Sequence, residues 1–134
     1  MPQIIRPLPQ RLRDTAAIYG ALLESVAAAG QGAIDPLRSS RGRIGDRAPL
    51  AFIELRERLE RLRREIGSLD VALPRAGVSV PVVEVVEALI TGVAVAEFLR
   101  SAGLSYTRAD HGALKDALIM GLNRVADLIP DHTL

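Results

Sequence analysis

The stretch PVVEVVEALITGVAVAEFLRSA, residues 81–102, decides how this chain is read. Only Glu84, Glu87, Glu97 and Arg100 are charged in it, so apolar side chains occupy nearly every direction around a helical wheel. A helix of that kind has to be buried on most sides. Its valines do not favour helix, and Val78–Val86 alone suits a strand. The length of the run, and the want of an evident hairpin partner, decide for one helix from about Pro81 to Ala102, stopped by Gly103. Its three glutamates are too costly at bilayer depth for a membrane span. Three neighbouring helices in so short a chain leave part of such a rod uncovered. A second subunit is therefore expected against it, on a face carrying Leu89, Val93, Ala96 and Phe98.

Working outward, prolines sit where segments begin or end, at Pro7, Pro9, Pro36, Pro49, Pro74, Pro81 and Pro130. Downstream, Leu114, Leu118, Leu122, Val125 and Ile129 share one face of a helix that starts at about Thr107 or Asp110. Upstream, Phe52, Leu55, Leu59, Leu62, Ile66, Leu69 and Leu73 keep heptad spacing from Pro49 to Pro74, with Gly67 and Ser68 as the place where the helix frays or kinks. The pairs Glu54–Arg58, Glu57–Arg61 and Glu60–Arg64 stand at i,i+4, each expected to contribute about 0.2–0.5 kcal/mol. Leu12, Ala16, Tyr19, Leu23 and Val26 mark a first helix from about Gln10 to Ala29, ended by Gly30. Residues 30–48 form a connection rich in glycine, serine and arginine.

Small residues recur every fourth position at Ala16 and Gly20, at Ala88, Gly92 and Ala96, and at Ala113, Ala117 and Gly121. A mid-helix glycine costs about 1 kcal/mol relative to alanine, and close backbone approach between helices is the natural compensation. The fold class that results is all-α, with about four helices in a single domain, residues 1–134. An extended, arginine-rich N-terminal helical arm (1–75) is followed by a compact, aliphatic C-terminal helical core (76–134).

Charge follows the same division. Residues 1–75 hold thirteen arginines against nine acids, while residues 76–134 hold four basic residues against seven acids. A polyanion, or end-to-end pairing of subunits, suits that asymmetry. There is no cysteine, which excludes disulfides, thiolate chemistry and cysteine-bound metals. The first thirteen residues lack the apolar core of a signal peptide, so secretion by that route is not expected; a cytoplasmic or virion location is.

Chemistry is hard to place. His111 and His132 stand far apart and no Glu-x-x-His pair occurs, so neither a metal nor another cofactor is expected. Glu84 and Glu87 share a face with Thr91, an arrangement that suits a solvated stripe or ion partners for arginine better than acid–base catalysis. No serine lies in a nucleophile motif. No enzyme activity and no small-molecule substrate are therefore expected. Gly42-Arg43-Ile44-Gly45, flanked by Arg38, Arg41 and Arg47, suits phosphate contact through backbone amides and guanidinium groups. Arg56 and Arg63 join this set on the following helix. Residues 102–105, followed by Tyr106, Thr107 and Arg108, have the cadence of a helix-turn-helix corner, but the helix beyond carries Asp110 and Asp116. Phe52 is the only ring near the arginines, so single-stranded bases find no stacking platform, and contact along a duplex backbone is the form that fits.

The whole plan, a basic helical N-terminal half and an apolar helical C-terminal half, resembles the helical coat (nucleocapsid) proteins of filamentous archaeal viruses. That resemblance implies a non-enzymatic self-assembling structural protein. Its N-terminal helices would contact double-stranded DNA without sequence preference, and its core would pack against other copies or a related subunit. It rests on arrangement and carries over no individual residue, and the near-neutral net charge of +1 departs from it. The alternative is an oligomeric helical interaction module, a phage connector or adaptor-like subunit, with no nucleic-acid role.

Overall fold

The computed structural model describes residues 2–34 and 47–129, and for residues 30–34 and 47–50 the backbone alone. Five helices and one small antiparallel hairpin occupy the described residues, in the order α1 (Gln10–Ile34), α2 (Arg47–Ile66), β1 (Asp70–Leu73), β2 (Val78–Pro81), α3 (Val82–Ile90), α4 (Val95–Ser101) and α5 (Arg108–Ala126). The chain is thus mostly helical, as expected, but differs from the expectation in three places.

The first is the hairpin. Residues 69–73 continue the heptad of α2 in sequence, yet the helix stops at Ile66. Gly67 takes φ +68, a left-handed conformation that costs a side-chain-bearing residue, and its amide closes on Arg63 O at 2.9 Å. Beyond it, Asp70 pairs with Pro81 and Leu73 with Val78 across the loop Pro74–Gly77. The hairpin partner that residues 78–81 need is therefore the segment read as the tail of a heptad. Two short valine-bearing runs around a four-residue loop with proline and glycine were the signal for it.

The second is the apolar rod, which is not one helix. Gly92, at φ +102, breaks it into α3 and α4. Thr91 closes α3 by donating its hydroxyl to the carbonyls of Glu87 and Ala88. The break turns a rod without a polar face into two helices with one buried face each. Val82, Val85, Val86, Leu89 and Ile90 of α3 are buried, while Glu84 points to solvent. Val95 and Leu99 play the same part in α4. The chain buries one face of each half of this segment by itself, so the rod does not require a second subunit to cover it.

The third is α1, which runs through Gly30 and Gly32 to Ile34. For α5 the expectation holds at its start: Thr107 accepts a hydrogen bond from the Asp110 amide at 3.2 Å and caps the helix.

The core draws on every element and does not follow the division at residue 75. Leu12, Ala16 and Tyr19 of α1 and Leu59, Leu62 and Ile66 of α2 join Leu73, the α3 valines and Leu114, Leu118, Leu122 and Val125 of α5. Ile5 and Leu8, ahead of α1, are buried as well. Among the described glycines the tightest contact is at Gly121 of α5, where an added Cβ would lie 2.5 Å from Val86 Cγ2 of α3. Of the small-residue positions, Gly121 fits the idea of close packing. Gly20 has only an ordinary contact, with Ile90 O 3.9 Å from where a Cβ would be, and Gly92 is a helix break. Asp110, buried at the start of α5, accepts the Arg75 amide at 2.9 Å and so fastens the hairpin loop to that helix.

Candidate interaction surface

Three helices meet at Glu87. Arg63 of α2 donates to both its carboxylate oxygens, from Nε at 2.7 Å and from a terminal nitrogen at 2.8 Å, and the buried hydroxyl of Tyr19 in α1 donates to Oε2 at 2.7 Å. Arg63 also reaches Glu60 at 3.3 Å. Forked contact of this kind is strong and directional. Burial first, and then the hydrogen bond to Glu87, make the Tyr19 hydroxyl much harder to ionise than a free tyrosine. The hydrogen bond to Glu87 likewise strengthens the hold of Arg63 on its proton. The sequence placed Tyr19 only on an apolar stripe; a tyrosine inside such a stripe needs a partner for its hydroxyl, and that was the available sign.

This geometry removes Arg63 from the expected nucleic-acid contacts, because its guanidinium is engaged within the fold. Arg56 is exposed on α2, and Arg47 is the first residue of that helix. Arg38, Arg41 and Arg43 lie outside the described residues. Of the expected subunit face, one residue lies in the interior and three stay part-exposed. Leu89 is fully buried in the chain's own core, Phe98 packs against that core, and half-buried Val93 and Ala96 line a cleft. The helix-turn-helix corner becomes a six-residue connection, 102–107. Past Arg108, the next side chains exposed on α5 are Ala109, Gly112 and Asp116, which is poor material for reading a groove.

What the fold leaves uncovered is the distal part of α1 and α2. No residue in 20–29 or 51–58 is buried, although both stretches are rich in apolar side chains. Leu22, Leu23, Val26, Phe52 and Leu55 are half-buried, and Ile53 is 49% exposed. A groove lined by Ile18, Leu22, Leu55 and Leu62 and closed by Leu128 and Ile129 runs between the two helices. Around it, the expected i,i+4 ion pairs are not made: Glu60 turns to Arg63, and Glu54, Glu57, Arg58, Arg61 and Arg64 form no ion pair with another described residue. Half-covered apolar side chains edged by charges of both signs, without ion partners among the described residues, have the composition of a protein–protein contact, with an apolar centre and a polar rim.

Comparison of the chain with protein-family models, with curated proteins and with solved structures gave no match.

Proposed function

We propose that this protein is a non-enzymatic, self-assembling helical module, and that the distal parts of α1 and α2 form its contact with a second copy. The observation that carries the reading is the end of the fully buried core at Tyr19 and Leu59, beyond which both helices continue with apolar side chains that the described residues cover only in part. A second copy is the occupant that fits, because the rim is self-complementary. Glu54 and Glu57 alternate with Arg58 and Arg61 along one helix, so two such helices packed head to tail bring each acid to an arginine.

Light-scattering mass measured on the native chain and on Ala21→Glu tests the proposal. Ala21 is exposed and lines the groove between α1 and α2, so a charge there leaves the fold intact, as circular dichroism should show, while placing a carboxylate inside the contact. The native chain should run as a dimer or larger and the variant as a monomer. Equal masses for the two would count against the contact.

Contact with nucleic-acid backbone is the second reading. It is favoured by Arg56, Arg61 and Arg64, which line one shallow groove on α2. Affinity for random duplex DNA at low salt should then fall steeply as salt rises, and replacing these three by glutamine should flatten the dependence by up to about three phosphate contacts. No binding at low salt would remove this reading and leave the assembly proposal standing.

A further inference from the structure

A cleft of about 690 Å³ opens between the N-terminal segment, the α3–α4 turn and the first half of α5. That volume lies within the range of small-molecule sites, about 300–1,000 Å³. One wall is aliphatic, with Ile4 and Pro7 from the N-terminal segment facing Val93 and Val95 from the turn. The other wall is polar and consists of Tyr106, His111 and Lys115. His111 and Lys115 are four residues apart on α5 and so share a face.

Tyr106 Oη lies 2.9 Å from His111 Nδ1, and the two rings meet edge to face with centroids 5.6 Å apart. When the hydroxyl donates to Nδ1, the imidazole proton sits on Nε2, which this contact leaves free to donate. Lys115 is half-buried and makes no ion pair with another described residue. No carboxylate is among the described residues that line the cleft. A lysine beside an imidazole N–H and apolar walls, with no carboxylate in the described lining, suits an anion that also carries an apolar body.

We infer that this cleft binds a small organic monocarboxylate with an aliphatic tail of medium length. The carboxylate oxygens accept from Lys115 Nζ and His111 Nε2, and the tail lies along Ile4, Pro7, Val93 and Val95. The site is independent of the α1–α2 contact and of any nucleic acid.

Calorimetric titration of the full chain with octanoate, octanol and inorganic phosphate tests it, with the His111 ring signals followed by NMR. Octanoate should bind and move the His111 signals; octanol, lacking the charge, should bind at least about tenfold more weakly, and phosphate, lacking the tail, should not bind measurably. Lys115→Met should lower octanoate affinity by about tenfold or more, and Lys115→Arg should restore most of it. The inference is overturned by the absence of octanoate binding at millimolar concentration, by octanol or phosphate binding as well as octanoate, or by unmoved His111 signals. A folded Lys115→Met chain that binds octanoate unchanged overturns it too. If Lys115→Met does not fold, the ligand comparison and the His111 signals on the native chain decide alone.

Discussion

Glu87 holds α1, α2 and α3 together through two partners, and the partners are not equivalent. Removing the Tyr19 hydroxyl leaves the carboxylate forked to Arg63, so Tyr19→Phe should cost only about 1 kcal/mol in urea unfolding. Glu87→Ala strands a buried hydroxyl and a guanidinium together, and the loss should reach about 2–3 kcal/mol. Tyr19 also gives alkaline unfolding a definite sign. Folding raises its pKa, so its contribution is complete below the unfolded tyrosine value of about 10 and is lost as pH rises above it. Native stability should therefore fall above that pH, and Tyr19→Phe should show a shallower decline. Parallel curves for the two chains would mean that Tyr19 ionises in the folded state as freely as in the unfolded one. Glu87 was legible in the sequence as an ion partner for arginine, but not which arginine. Arg63 stands among Arg58, Arg61 and Arg64 with nothing in the local pattern to single it out, since the choice depends on how α2 and α3 cross.

At the scale of elements, the two mid-helix glycines of α5 should behave in opposite ways. At Gly112 an added Cβ meets nothing within 4 Å, so Gly112→Ala should stabilise the protein by up to about 1 kcal/mol through helix propensity. At Gly121 the added carbon drives into Val86 and Val82, and Gly121→Ala should destabilise by about 1–3 kcal/mol despite the same propensity gain. Thermal melts of both variants check the pair, and a stabilised Gly121→Ala would contradict the close approach of α5 to α3. Elements with a clean helical period were legible: α5, the first half of α1, and α2 as far as Ile66. The hairpin was hidden because Leu69 and Leu73 fall by coincidence on the heptad of α2, and only the left-handed Gly67 ends the helix before them. The α3–α4 break was hidden because Gly92 was given the meaning of a packing glycine. A glycine in an apolar run reads alike whether it serves contact or a turn, and tertiary structure chooses between them.

At the scale of the molecule, the core accounts for the buried aliphatic side chains of both halves but stops short of the ends of α1 and α2. The apolar residues there stay partly exposed among the described residues, and the charges beside them stay unpaired. The sequence reading expects a neighbouring subunit against residues 81–102. It judged residues 81–102 too apolar to be covered, when a bend at Gly92 and the β-hairpin let the chain cover them. The uncovered surface lies instead in the amphipathic α1–α2 pair, whose half-apolar character resembles that of any surface helix until the extent of the core is known. Burial of several half-exposed leucine-sized side chains on association is worth a few kcal/mol at about 25 cal/mol per Å² of apolar surface. Association carries a cost of comparable size, so the self-contact is expected to depend on concentration rather than to form a permanent assembly. Sedimentation equilibrium of the native chain from low to high micromolar concentration tests this most directly. The account predicts a mass that rises from the 14.4 kDa of one chain to at least twice that value; a single 14.4 kDa species at every concentration would contradict it.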